Sequence, residues 1–147
     1  MNSIIFNKAK AELEKFEEKC SRHMEDFNIF IQQDVYDYIV RKDSIFVDES
    51  EFEETAARLW TQFQNNNITS DEYVILIVRF IVLNISDDRE GAIIKNKVLR
   101  FETEYYIQKE TMQYLQNKVW RLESKYCLDN IICSDLSNLI MTYILSH

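Results

Sequence analysis

The chain has 147 residues, with 25 Asp and Glu against 17 Lys and Arg, a formal net charge of −8, one glycine and no proline. A length near 150 is typical of one domain, so we expect residues 1–147 to form a single helical domain. The scarcity of glycine and proline argues against β-folds with tight turns and against glycine-rich phosphate loops.

The first predicted helix carries its apolar side chains on one stripe. Residues three or four positions apart lie on the same face of an α-helix. Eight residues follow this spacing: Phe6, Ala9, Leu13, Phe16, Cys20, His23, Phe27 and Phe30. The segment 34–40 could extend this helix, and the segment 44–47 could be a short extended piece.

Two further helices are predicted from capping patterns. Asp48 stands three residues before Glu51, and Thr69 stands three residues before Glu72, as in capping boxes. After Asp48, apolar residues follow at helical spacing at Phe52, Ala56, Leu59, Trp60 and Phe63. After Thr69 comes the apolar run 73–83, which could also be a buried strand. We interpret it as a helix because of its cap and because no partner strand is predicted.

The longest pattern begins after Asp87 and Glu90, which again have capping spacing. Its seam alternates by four and three residues through Ile94, Val98, Phe101, Tyr105, Gln108, Met112, Leu115, Val119, Leu122 and Tyr126. Ser134 is predicted to begin a last helix. The patterns together predict an all-α protein: a compact bundle of five or six helices, two of them about 30 residues long with heptad spacing.

The sequence offers little for catalysis. Its two histidines are His23, on the first apolar stripe, and the terminal His147, and neither completes a recognisable nucleophile–base arrangement. Cys20, His23, Cys127 and Cys133 could form a zinc site if they met, but cysteine is also a common small core residue. We expect no enzyme activity, no metal and no cofactor. Free thiols and the absence of a signal sequence predict a cytoplasmic protein.

One enzyme alternative rests on paired acids. Asp34 with Asp37 and Glu51 with Glu54 form two pairs three residues apart. Two such pairs on adjacent helices can hold Mg²⁺ against nucleotide phosphates. Their spacing resembles the paired acidic motifs of all-α nucleoside triphosphate pyrophosphohydrolases, and that resemblance would imply a Mg²⁺-dependent nucleotide hydrolase. The first pair here is Asp-x-x-Asp rather than Glu-x-x-Glu, and the second ends in Glu rather than Asp.

The segment 43–54 is the most informative stretch for function. It holds six acids and no base, interleaved with Ile45, Phe46, Val47 and Phe52. Charges steer a basic partner and aromatic rings supply buried anchors, although the same rings could simply fasten the segment to the core. We therefore predict a partner-binding surface that comprises Asp34, Asp37, Asp43, Phe46, Asp48, Glu49, Glu51, Phe52, Glu53 and Glu54.

The resulting interpretation is a non-enzymatic inhibitor or immunity-type protein that occludes a basic partner, such as a nuclease or another nucleic-acid-binding protein. Net negative charge disfavours direct contact with nucleic acid, and the run 73–83 is shorter than the ~20 residues that span a membrane. The alternative is an assembly subunit or adaptor that forms a homodimer or complex through the helix of residues 94–126.

Overall fold

A computed structural model describes residues 3–42 and 48–146, apart from the side chains of residues 129, 132–134, 137 and 145. Its elements are helix α1 (Ser3–Phe30), a π-helical turn (Ile31–Val35), α2 (Tyr36–Lys42), α3 (Glu49–Gln64), α4 (Ser70–Leu83) and α5 (Arg89–Ser146). No strand occurs in these ranges, and the predicted all-α class is confirmed. The segment 34–40 continues the helical path of α1, whereas the segment 44–47 lies outside the described residues.

The π turn changes the phase of the buried face between α1 and α2. Phe27, Phe30, Val35 and Tyr38 are all buried, and their spacings are three, five and three residues. In a regular α-helix, residues three or four positions apart lie on the same face. A π turn has hydrogen bonds between residues i and i+5 and therefore adds one residue to that spacing. The apolar stripe predicted for α1 therefore stops at Phe30, because its continuation is one residue out of phase.

The chain divides into two compact units. One comprises Met1–Lys19 and Gln108–His147, and the other comprises Cys20–Ile107. The core of the second unit joins α1, the π turn, α2, α4 and the beginning of α5. Its buried side chains are Phe27, Phe30, Val35, Tyr38, Ile75, Val78, Val82, Ile85, Ile94, Val98 and Phe101. This packing confirms that residues 73–83 lie in a helix, which is buried at Ile75, Val78 and Val82.

In the first unit, the beginning of α1 packs antiparallel to the later part of α5. The Phe6 and Tyr126 rings stack with centroids 6.3 Å apart, and Lys118 Nζ lies 3.6 Å from Glu12 Oε2. As α1 advances from Phe6 to Glu12, its partner on α5 moves back from Tyr126 to Lys118. All ten residues of the predicted seam 94–126 are buried or half-buried, as its spacing indicates.

The predicted helix starts are confirmed at two positions and corrected at two others. Asp48 caps α3 by accepting a 2.8 Å hydrogen bond from Ser50 N. Thr69 and Glu72 form the predicted capping box of α4. At α5, the carboxylate that accepts from the first turn belongs to Asp88, not Asp87. No helix begins at Ser134, since α5 runs through it for 58 residues. No proline or glycine after residue 91 interrupts α5 there.

The start of α5 is tied to α2 by a small polar group. Asp88 Oδ1 accepts a hydrogen bond from Gly91 N at 2.8 Å, and Asp88 Oδ2 accepts one from the Tyr38 hydroxyl at 2.9 Å. These bonds, the one from Gly91 first, hold the pKa of the Asp88 carboxyl below its ordinary value. A Cβ at Gly91 would lie 2.1 Å from the carbonyl oxygen of Ser86, which explains a glycine at this position.

Candidate functional site

Helix α3 and its N-cap together carry six of the ten residues predicted to bind a partner. Asp48 is its N-cap, and four glutamates in its first two turns, Glu49, Glu51, Glu53 and Glu54, are exposed. Carboxylates are favoured at a helix N-terminus, where they lie near the positive end of the helix dipole. This preference lets α3 hold a concentration of negative charge without losing helical stability. Asp43 and Phe46 lie outside the described residues.

The carboxylates of α3 have no cationic partner among the residues that the structure describes. Acids elsewhere in the chain do: Glu102 Oε1 lies 3.1 Å from Arg79 Nη1, and Asp87 is paired with Lys95. Because charges that are not neutralised by a neighbour project a stronger field, the beginning of α3 is a source of negative potential toward solvent.

The four glutamates do not lie on one side of α3. At 100° per residue, Glu49, Glu53 and Trp60 fall within about 40° of one another, at spacings of four and seven residues. Glu51 and Glu54 lie about 120–180° away, on the side that carries Arg58. We call Glu49, Glu53 and Trp60 the acidic stripe. The set predicted from sequence therefore divides into two faces, and only one of them contains an exposed aromatic ring.

Trp60 is a candidate binding residue outside the predicted set. Its helical spacing groups it with the inward-facing residues of α3, but its side chain is 50% exposed. Its ring is held from one side, with the Phe63 centroid 5.6 Å away and the Tyr73 centroid 5.8 Å away. Tryptophan is enriched at binding hot spots, and a ring already fixed by its neighbours loses little freedom on binding. The sequence does contain a sign of this exposure. Leu59 and Trp60 are neighbours, and side chains 100° apart on a helix cannot both point to the centre of the core.

Phe52 has a different role from Trp60. Its side chain is half-buried, and its ring centroid lies 6.1 Å from that of Phe80 on α4. It thus helps to pack α3 onto α4, as the structural interpretation of the segment expected.

Asp34 and Asp37 are exposed on the π turn and on α2. The Asp37 carboxylate lies 3.5 Å from Arg41 Nε, and Arg41 also binds Glu90. The hydrogen bond to Glu90 is the main cause that raises the pKa of Arg41 above its ordinary value. The negative charge of Asp37 is therefore offset by a neighbouring cation, unlike the charges of the acidic stripe.

A cleft of about 280 Å³ lies between α1 and α5 in the unit Cys20–Ile107. His23 donates from Nε2 to Glu104 at 3.0 Å, and its ring stacks on Phe101 at 4.3 Å between centroids. Lys97 Nζ lies 4.4 Å from the centroid of Phe30. The side chains that line the cleft include two acids and two bases, so its charge is balanced. They offer an apolar floor and one imidazole, but no hydroxyl or thiol nucleophile.

Metal-binding residues do not converge in the part of the chain that the structure describes, where no three His, Cys, Asp or Glu side chains form a group able to hold an ion. Cys20 is half-buried and Cys127 is exposed, neither of them forms a disulfide, and the Cys133 side chain lies outside the described residues. Every helix in the described ranges falls short of the combined length and hydropathy that crossing a bilayer requires. No protein family, curated protein or solved structure matches this chain.

Proposed function

We propose that this protein is a non-enzymatic binding module whose acidic stripe, Glu49, Glu53 and Trp60, docks onto a basic protein. The observation that carries the proposal is the combination of carboxylates without a cationic neighbour and a half-exposed tryptophan held by Phe63 and Tyr73. Charges accelerate the encounter with a partner of opposite sign, while a central aromatic ring supplies most of the energy that keeps it bound.

The function that follows is occlusion. A row of carboxylates on a rigid helix resembles a phosphate backbone in charge, so it competes for the basic groove with which a nuclease or other nucleic-acid-binding protein holds its substrate. An inhibitor or immunity-type protein acts in this way without breaking any bond. Arg41 offsets the charge of Asp37, whereas the carboxylates of the acidic stripe have no cationic neighbour among the described residues. The acidic stripe is therefore the part of the predicted surface best suited to this role.

The test compares two charge reversals on the same helix. The partner is captured from native lysate with the full-length protein at low salt and identified, and its dissociation constant is then measured by titration. We expect Glu49→Lys/Glu53→Lys to weaken binding by about 100-fold or more, because two attractive charges become repulsive. Glu51→Lys/Glu54→Lys changes the net charge equally but on the other face, and should weaken binding by less than about tenfold.

Salt provides an independent check on the same complex. Raising ionic strength shortens the Debye length to ~3 Å at 1 M, so the wild-type association rate should fall steeply while that of the Glu49→Lys/Glu53→Lys variant changes little. Equal losses for both double variants would show that only total charge matters. Binding that survives Glu49→Lys/Glu53→Lys would contradict the proposed surface.

A further inference from the structure

The indole of Trp60 differs from the core rings of this chain in what covers it. The nearest rings meet it at an angle, at 49° for Phe63 and at 70° for Tyr73, so neither lies flat against it. By contrast, the rings of Phe27 and Phe101 lie almost parallel, at 5°, with centroids 3.8 Å apart. Since Trp60 is also 50% exposed, its indole presents an open aromatic face to solvent.

The chain places its own cations over phenylalanine rings but not over Trp60. Lys97 Nζ lies 4.4 Å from the centroid of Phe30, and Lys10 Nζ lies 5.4 Å from that of Phe6. Within the described ranges, no lysine or arginine lies over the Trp60 indole in this way. An indole attracts a cation more strongly than a phenyl ring does, so Trp60 is open to a cation from another molecule.

The helix surface beside the indole carries a small residue and then a carboxylate. Ala57 precedes Trp60 by three residues, Glu53 precedes Ala57 by four, and all three are exposed. At 100° per residue they fall within about 60° of one another, and Glu53 lies about 10.5 Å from Trp60 along the axis. Ala57 places only a methyl group between them, so one incoming side chain can reach both. Arg58, the one base of α3, lies about 160° from Trp60 and does not cover the ring.

We propose that Trp60 and Glu53 together bind an arginine side chain of the basic partner, in preference to a lysine. This inference rests on the proposed function and adds which basic side chain the acidic stripe recognises. A guanidinium is planar, so it can stack on the indole while the N–H groups at its edge donate to the Glu53 carboxylate. An ammonium is a compact and strongly hydrated charge, and it cannot make a flat contact with the ring.

Charge and rigidity at this surface both favour the contact. Glu49 stands four residues before Glu53 on the same side of α3, so a second carboxylate lies one turn beyond the first. The two acids attract a cation to the open face of the indole and repel an anion from it. Phe63 and Tyr73 already hold the ring in place, so stacking on it costs little conformational freedom.

Two peptides of equal charge, octa-arginine and octa-lysine, test the preference on the full-length chain. Calorimetric titration at ~0.15 M salt should show octa-arginine bound about tenfold more tightly, because the long-range attraction is the same for both and only a guanidinium stacks on the ring. Trp60→Leu should remove most of this preference while changing the octa-lysine affinity little. Glu53→Gln should reduce the preference, whereas Glu54→Gln, which removes the same charge from the other face, should leave it unchanged.

Tryptophan fluorescence locates the contact. The chain has two tryptophans, so Trp120→Phe leaves Trp60 as the single one. Its emission should change more with octa-arginine than with octa-lysine, because a stacked guanidinium excludes water from the face of the ring. Trp60→Phe retains an aromatic ring and should keep part of the preference that Trp60→Leu loses. Far-UV circular dichroism shows whether each variant keeps its helices.

The outcomes separate this inference from the proposed function. Equal affinities of the wild type for the two peptides would overturn the inference and leave the proposed function standing, because the acidic stripe would then bind bases by charge alone. An undiminished preference in a folded Trp60→Leu variant, or binding of octa-arginine without a change in Trp60 emission, would also overturn it. Failure of the proposed function would instead appear as full binding of the captured partner by Glu49→Lys/Glu53→Lys, whatever the peptides show.

Discussion

Gly91 shows how one residue fixes the start of a long helix. Its amide donates to Asp88, and the missing Cβ makes room for the carbonyl oxygen of Ser86 and the hydroxyl of Tyr38. Tyr38 is fully buried, so the position of its hydroxyl is set by the core and cannot shift easily. It is also the single glycine of the sequence. The residue is retained here for the space it leaves and not for backbone freedom, because its φ is not positive.

We expect Gly91→Ala to lower the free energy of unfolding by about 2 kcal/mol, because a Cβ forced against backbone displaces the helix start. Urea unfolding followed by circular dichroism measures it. At an ordinary helical position the same change stabilises by about 0.5–1 kcal/mol, so the sign alone is diagnostic. Ala57→Gly, at an exposed position within α3, provides the reference for the propensity effect. A more stable Gly91→Ala variant would refute the role assigned to this glycine.

Asp88 gives the start of α5 a dependence on pH. Its pKa is lowered in the folded protein by the hydrogen bond from Gly91 and then by that from Tyr38. A carboxyl with a lowered pKa contributes stability above its unfolded value of about 3.9, and loses it as the pH falls through the folded value. The stability difference between wild type and Asp88→Asn should therefore be largest near pH 7 and shrink below about pH 4. Urea titrations at pH 7, 5 and 3 measure this difference in the free energy of unfolding. A difference that stays the same at all three pH values would contradict the prediction.

At the scale of the elements, the periodicity of apolar residues predicted the helices and their inward faces. Every stripe position of α1 and every seam position of 94–126 is buried or half-buried. These predictions succeed because burial of one face is the main requirement on a helix of this kind. The cap of α5 was placed one residue early because Asp87 and Asp88 are chemically alike, and only the approach of Tyr38 distinguishes them.

The candidate site was harder to predict for a geometrical reason. Charge in the sequence identified the acidic segment, but it did not show which glutamates share a face with an exposed ring. That depends on where α4 meets α3, and Tyr73 on α4 leaves one side of Trp60 open. The helix break predicted at Ser134 is wrong for a similar reason. A serine can cap a new helix or continue an existing one, and the sequence alone does not distinguish the two.

The two tryptophans offer a matched test of the acidic stripe. Trp60→Ala should weaken binding of the basic partner by about tenfold or more, the usual cost of removing an aromatic hot spot. Trp120→Ala, on α5 and 66% exposed, should leave the affinity almost unchanged. Titration with the captured partner measures both, and thermal melts report whether either variant unfolds. Equal losses of affinity for Trp60→Ala and Trp120→Ala would show that Trp60 is not part of the binding surface.

At the scale of the whole chain, the negative charge is concentrated in the segment 43–54. The six acids of this segment account for −6 of the net charge of −8, so the other 135 residues carry a net charge of only −2. A nearly neutral body with one strongly negative region orients a basic partner toward that region during encounter, which a uniformly acidic surface would not do. The distribution therefore supports a specific docking site better than it supports charge for solubility alone.

The π turn has a consequence for how the length of this chain can vary. Deleting Gln33, which is exposed, changes the spacing from Phe30 to Val35 from five to four, and the series three, five, three becomes three, four, three. That series is the ordinary repeat of an α-helix, so the deletion should give an uninterrupted helix with the same core residues. Chemical denaturation should find the shortened chain folded, within about 1 kcal/mol of the parent, whereas deleting Ile77 from α4 should prevent folding. That outcome would identify the π turn as a one-residue insertion that the core of this unit accommodates.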